Sequence, residues 1–511
     1  MRGRVGAVAA AVGALVVGLL PALPAAAADS ITWKPCPEPG GSIGQECAKI
    51  PVPLDYRKPD GKTIEVAVSR LRSTNPAKRR GVLLVNPGGP GGPGQTMPLD
   101  LVSLGLPVSV MDTYDLIGFD PRGTGESTPV TCDIPPAEVQ SNVPPYARNP
   151  ADVAAHAEAL KPLPAQCAAS STGALLPFVN TSNTARDMDR IRVALGESKI
   201  SYFGVSYGSY LGAAYASMFP SRVDRVVLDS VTGPAGLDYQ GSRWFATGFD
   251  IRFPDFAKWA AARDATYELG ATPGQVRRTY FSLAARLDQT PIQGVDGALF
   301  RAATFSWLYN DASFPTMAQA WQQLLRAPSA AAAASVAAAI DPLENYVSSQ
   351  LLVVCNDSDW PESVSTYQRV VERERLARPA FGPAAANIWA CAFWPVERYE
   401  PPVRVNGKAA DRMLLVENLR DPATPLVGTL EMKRAFGRQA RLVTVDQGGH
   451  GVYLFGENAC ANNTVTTYLV TGKRPRAGLH CPKDGGLFGA SSQDQAERRE
   501  ALRQLQRGFV H

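Results

Sequence analysis

Charge of either sign is nearly absent as an excess: Lys and Arg number 51 against 47 Asp and Glu, for a net charge of +4 over 511 residues. Such a balance excludes a basic nucleic-acid surface and a strongly charged substrate as organising features. After residue 28 no stretch has the length and hydrophobicity to span a bilayer; the Ala-rich run from Ala327 to Ile340 is weakly apolar and reads as a solvent-flanked helix. No two cysteines stand in Cys-x-x-Cys spacing, which argues against a metal site, and no internal repeat implies a solenoid. Histidine is scarce as well, at four residues, so chemistry that needs an imidazole has few places to find one.

What is present begins at the amino terminus. Met1-Arg2-Gly3-Arg4, an apolar run from Val5 to Leu20 and the alanines before Asp29 describe a secretory signal peptide over residues 1–28, cut after Ala28. An uncleaved membrane anchor is the alternative, but the apolar run is short for a spanning helix. Cleavage leaves an extracellular chain of about 480 residues with no membrane partner, long enough for two or three domains by the length prior. Eight cysteines in an exported chain imply four disulfides, and they fall in neighbouring couples: Cys36 with Cys47, Cys132 with Cys167, Cys355 with Cys391, and Cys460 with Cys481.

Hydrophobic patterning organises the rest. Thr63 to Arg72 alternates apolar and polar residues, while Val82 to Val85, Tyr114 to Phe119, Ile200 to Phe203 and Val223 to Leu228 are short, β-rich and followed by turn or helix signals. Helical segments such as Trp244 to Leu287 and Ala303 to Leu325 then take over, until strands resume at Met413 to Val416 and Arg441 to Val445. Two closing strands cannot form a domain alone. The reading is therefore an α/β core of residues 29–234 and 406–511, its second part carrying a disulfide-linked C-terminal segment, interrupted by a helical cap over 235–405.

Gly204-Val205-Ser206-Tyr207-Gly208 lies between an apolar strand and the small-residue helical run from Leu211 to Met218. A strand, sharp turn and helix lift Ser206 clear of the sheet, where a base can reach its hydroxyl. A serine nucleophile needs such a base, and the base needs an orienting carboxylate. Of the histidines, His156 sits in a polar helical stretch, His480 adjoins Cys481 and His511 ends the chain; His450, in Gly448-Gly449-His450-Gly451, directly follows a sheet strand. Asp421, in Arg420-Asp421-Pro422-Ala423-Thr424-Pro425, is the expected carboxylate, with Asp229 and Asp446 as rivals and a turn-initiating role as its bland reading. The constellation is that of an α/β-hydrolase fold.

An oxyanion needs backbone N–H donors. The expected donors are Tyr207, directly after the nucleophile, and Gly89 in the loop Asn86-Pro87-Gly88-Gly89-Pro90-Gly91-Gly92-Pro93-Gly94, with Gly88 second. Gly89-x-Gly91-x-x-Gly94 also matches a dinucleotide fingerprint, but Pro90, Pro93 and the lack of a helix opening on the glycines argue against phosphate binding. No cofactor and no metal are expected.

Asn86 to Gly94, Gly118 to Gly125, Asn183 to Asp189, the Ser206 elbow and Arg420 to Pro425 together resemble the secreted bacterial tripeptidyl aminopeptidases, α/β-hydrolase serine exopeptidases akin to proline iminopeptidases. The similarity runs from Trp33 to Cys481. It implies Ser206 as nucleophile, Asp421 as acid and His450 as base, a cap that restricts the cleft to chain ends, and a peptide substrate. In the cap it rests on Cys355-x-Asp357-x-x-Trp360-Pro361 and on Cys391 with Trp394-Pro395. Proline iminopeptidases carry His where Pro87 stands, which leaves the number of residues removed open. Recognition of a free α-ammonium calls for a carboxylate, for which Asp357 and Asp359 are candidates beside their reading as loop acids or a helix cap. An esterase on the same scaffold and a proline-type iminopeptidase are the alternative activities; a non-catalytic binding protein on the fold would ordinarily lack a member of the triad.

Overall fold

The computed structural model describes residues 31–37, 40–135, 143–326, 330–338, 343–394 and 400–483. The proposed signal peptide, Pro395, part of the Ala327 to Ile340 run and His511 lie outside them. Ten strands form one sheet: β1 (Lys34–Pro35), β2 (Glu46–Pro53), β3 (Thr63–Leu71), β4 (Gly81–Asn86), β5 (Tyr114–Phe119), β6 (Ile200–Val205), β7 (Val223–Asp229), β8 (Met413–Arg420), β9 (Arg441–Gly448) and β10 (Leu479–Cys481). Their spatial order is β1-β2-β3-β5-β4-β6-β7-β8-β9-β10. Pairing is antiparallel from β1 to β5 across β3 and parallel from β5 through to β10. The molecule is thus an α/β-hydrolase fold.

The central strands are apolar on both faces because helices cover both. In β4, Leu83 and Val85 enter one buried cluster while Val82 and Leu84 enter the other, as the two-residue period of a strand requires. β1, β2 and β10 lie towards the sheet edges and carry weaker patterns. β2 alternates exposed and buried residues only in its second half, and β10 has three residues, so neither offers a window long enough for periodicity to register.

Between β7 and β8 the regular elements among the described residues are helices, apart from an isolated bridge between Ile292 and Val295. The centre of this region is aromatic. Trp321, fully buried, lies 5.1 to 6.3 Å, centroid to centroid, from Phe253, Phe256, Tyr280 and Phe300. The helix Glu344–Asp357 joins it to the core: Ser349 Oγ donates to Gly123 O at 2.7 Å and Asn345 Nδ2 to Val130 O at 2.7 Å.

All four disulfides join the neighbouring cysteines, closing sequence separations of 11 to 36 residues. Each adds about 2 to 4 kcal/mol by restricting the unfolded chain. Together they fit an oxidising, extracellular setting. Among the described residues no helix is long and apolar enough to cross a membrane.

Candidate active site

Three parallel strands, β6, β8 and β9, with β7 lying between the first two, lead into the three residues singled out above. β6 runs straight into Ser206, whose φ of 61° and ψ of −129° are costly for a side-chain-bearing residue, and the helix Tyr207–Met218 starts at once. Small neighbours permit this turn. A Cβ on Gly204 would fall 2.4 Å from Gly208 O, and one on Gly208 would fall 2.7 Å from Asn86 O. Ser206 N–H donates to Asp229 O at 3.0 Å, which pins the turn to the neighbouring strand.

Asp421 follows β8 and is fully buried; its Oδ1 accepts N–H bonds from Ala423 and Thr424, each at 2.8 Å. His450, 4% exposed, follows β9 and places Nδ1 2.9 Å from Asp421 Oδ2 and 3.0 Å from Oδ1. Burial pushes the Asp421 carboxyl up, but the His450 charge and hydrogen bond, with the Thr424 amide, hold it below its ordinary value. An ionised Asp421 accepts only. Nδ1 therefore carries the proton and Nε2 is left as the acceptor, the tautomer a general base needs.

The loop bearing His450 is held on every side. Asp229 takes Val452 N–H and Tyr453 N–H at 2.8 and 2.7 Å, Ser230 Oγ takes Gly451 N–H at 2.7 Å, and Asn418 Nδ2 donates to Gly449 O and Gly451 O at 2.9 and 3.0 Å. From the helical region, Tyr309 O accepts His450 N–H at 2.8 Å and the Tyr309 ring meets the imidazole edge-on at 4.9 Å. Arg252 braces Tyr309 in turn, its Nε donating to Leu308 O at 3.0 Å. Asp229, weighed above as a rival acid, thus spends both oxygens on backbone amides, and burial raises it to about 7. Asp446, the other rival, pairs with Arg420 at 2.5 Å near the surface.

A further acid, Glu417, is fully buried nearby. Burial, first, and the Asp421 charge raise its carboxyl well above the usual range, while its Oε2 accepts from Val231 N–H at 2.8 Å and from Thr429 Oγ at 2.5 Å. Sequence reading missed Glu417, Asn418, Ser230 and Tyr309. Glu417 and Asn418 sit inside a strand pattern where a polar residue was the only available signal, and Tyr309 meets His450 across 141 positions of chain.

The glycine-rich loop after β4 lies over the elbow. A Cβ on Gly88 would sit 3.0 Å from Ser206 Cβ and 3.1 Å from Tyr207 N. Gly88 N–H is already given to Asn86 Oδ1 at 3.1 Å, and Asp120 Oδ1 fixes the far end of the loop by accepting from Gly94 and Gln95 at 2.8 and 2.9 Å. Ser206, Tyr207, Gly89, Tyr309, Ala423 and Thr424 all line one pocket that opens to solvent.

Neither Asp357 nor Asp359 is brought to this pocket. Half-buried Asp357 ends the helix Glu344–Asp357 and accepts Thr181 N–H at 2.9 Å and Thr181 Oγ at 2.5 Å, at the start of the helix Thr181–Ala194; Thr181 Oγ also bonds the Tyr207 hydroxyl. Burial raises Asp357 to about 6 although the Thr181 bonds pull the other way. Asp359 is exposed. The expected ammonium-binding role gives way to a helix-terminus role for Asp357, because the first amides of a helix need an acceptor. Among the described residues no group of three or more His, Cys, Asp or Glu side chains is disposed to hold a metal ion.

The family model described as TAP-like protein matches residues 378–481. The tripeptidyl aminopeptidase of Streptomyces coelicolor is 36% identical, covering 89% of this chain and 86% of that protein. The serine protease Hip1 of Mycobacterium tuberculosis is 30% identical, covering 88% and 91%. Carboxylesterase B of the same organism is also 30% identical, covering 85% and 86%. With identity at this level over nearly the whole of both chains, this protein belongs to the tripeptidyl aminopeptidase family of α/β-hydrolases.

Proposed function

We propose that the chain is a secreted serine exopeptidase that releases tripeptides from free amino termini. The observation that carries this reading is the buried Asp421–His450 pair, at 2.9 Å, on the strand edge that also presents Ser206 at a strained elbow. In this mechanism Ser206 Oγ attacks the scissile carbonyl while His450 Nε2 takes its proton; the amides of Gly89 and Tyr207 receive the oxyanion. His450 then protonates the departing amine, leaving the peptide's amino-terminal fragment on Ser206, and a water activated by the same imidazole releases it. Asp421 stabilises the imidazolium formed in both halves. Residues 235–405 act as the cap that closes the cleft to internal peptide bonds, and residues 1–28 as the export signal.

An esterase is the second reading, favoured by the carboxylesterase relative and by the absence of a carboxylate among the described residues that line the pocket. A panel of tripeptidyl, single-residue and acyl-ester chromogenic substrates separates the two. Turnover of tripeptidyl anilides with free amino termini, lost on amino-terminal acetylation, is the expected result. Turnover of esters alone would overturn the peptidase reading.

A further inference from the structure

The pocket wall offers an observation that the triad does not use. None of the described side chains lining it is charged at neutral pH, and its largest is Trp244, half-buried on the helix Tyr239–Ala261. The indole rests on two glycines from different elements. A Cβ on Gly233, in the loop after β7, would lie 2.8 Å from its Cζ3 and 2.9 Å from its Cη2; a Cβ on Gly428 would lie 2.8 Å from Cζ3. Real Cβ atoms do not approach so closely, so either methyl would force the ring to move. Gly428 stands inside the helix Leu426–Phe436, where glycine is the worst former after proline. Its own φ is ordinary, and the space of a side chain is taken first by the ring, then by Gly233 N, 3.1 Å from such a Cβ. Gly233 and Gly428 thus back the ring, and Trp244 lines the pocket beside Gly233.

We infer that Trp244, seated on Gly233 and Gly428, sets the upper limit on the size of the uncharged acyl-side group that the Ser206 pocket accepts. This rests on the reading of Ser206 as the acylated residue. Trp244 is here a specificity residue, acting by the volume it occupies, and the two glycines set how deeply it recedes. An added methyl under the ring pushes it into the pocket, whereas removal of the ring opens the pocket. Among the described residues the lining carries no charge to offset desolvation, which makes Lys, Arg, Asp and Glu side chains poor occupants.

The test compares wild type with Trp244→Ala and Gly428→Ala on two parallel series: free tripeptidyl p-nitroanilides ending in Ala, Leu, Phe, Lys or Glu, and p-nitrophenyl esters from acetate to octanoate. Trp244→Ala raises the Phe-to-Ala and octanoate-to-acetate ratios of kcat/KM about tenfold or more, on the scale by which a few methylenes are discriminated in an apolar pocket. Gly428→Ala shifts both ratios below wild type, while fluorophosphonate labelling of Ser206 persists. If the anilides are not cleaved by wild type, the peptidase reading fails and the ester series still measures the pocket. Unchanged ratios in labelled, folded Gly428→Ala overturn the inference, and this variant decides should Trp244→Ala not fold. Efficient turnover of the Lys or Glu anilide by wild type overturns the claim of an uncharged occupant.

Discussion

The floor beneath the pocket and the helical region above it are both buried, yet they are built from opposite materials. The floor holds Asp229, Glu417, Asp421, Asn418, Ser230 and His450, all under 5% exposed; Asp229, Asp421, Asn418 and Ser230 hold His450 or its loop through directional bonds of 2.7 to 3.0 Å, and Glu417 accepts from Val231 N–H and Thr429 Oγ. The helical region is centred on stacked rings such as Phe249, Phe253, Tyr280 and Trp321, whose centroid distances of 5.3 to 5.7 Å recur at many interplanar angles. Hydrogen bonds fix atoms to within tenths of an ångström, and losing one partner strands the other. Dispersion and burial tolerate repacking when volume is kept. Catalytic geometry therefore belongs to the floor and pocket shape to the aromatic region, with Tyr309 the point where the two meet.

Changes in each region test that division. The largest expected effect is on the floor: Ser206→Ala lowers kcat by about 10⁶-fold and abolishes fluorophosphonate labelling, while the melting temperature stays close to wild type. Asp421→Asn comes next, lowering kcat about 10⁴-fold, because an amide at this place favours the wrong imidazole tautomer; activity retained within tenfold would make Asp229 the better candidate for the acid. In the aromatic region Trp321→Ala costs about 3 to 5 kcal/mol of stability in denaturant titrations, while kcat of the fraction that stays folded changes little. A large loss of kcat there would dissolve the comparison.

The smallest effect concerns pH. Asp229 holds its proton to about 7 in the folded protein, whereas the unfolded chain releases it near the ordinary carboxylate value. Between those limits the native state binds the extra proton, so the contribution of Asp229 to stability falls as pH rises, by about 2 kcal/mol from pH 5 to 7 at roughly 1.4 kcal/mol per unit. Asp357, raised to about 6, adds a shift of the same sign. Asp229→Asn makes the slope shallower in urea titrations across that window. His156, lowered to about 4 by burial, contributes a slope of the opposite sign in wild type and variant alike, so an unchanged slope in Asp229→Asn is the result that would contradict a protonated Asp229.

Much of the framework was legible because it is written locally. Strands β4 to β7 are short apolar runs ended by turn residues, and the elbow needs only five consecutive positions, so periodicity and glycine placement expose both. Asp421 and His450 follow the last strongly patterned strands and could be ranked by chain order. Between its two readings, ammonium site or helix cap, Asp357 could not be resolved from the motif, because a motif shows that an acid is present, not which amide it faces. Tyr309, Trp244 and Glu417 were invisible for a related reason: each matters through a partner far along the chain.

What the amino-acid sequence determined by itself is the run of central strands from β3 to β9, the helical stretch between β7 and β8, the elbow, and the short list of residues from which a nucleophile, base and acid can be drawn. Those follow from side-chain period, backbone permissiveness and functional-group chemistry, all of which act over a few residues. Only the tertiary structure decided that Asp229 clamps the His450 loop, that Tyr309 braces the imidazole from the helical region, and that an indole from one element lies on glycines of two others. Burial and hydrogen bonding between distant segments depend on how sheet and helices pack, and packing is a property of the whole chain.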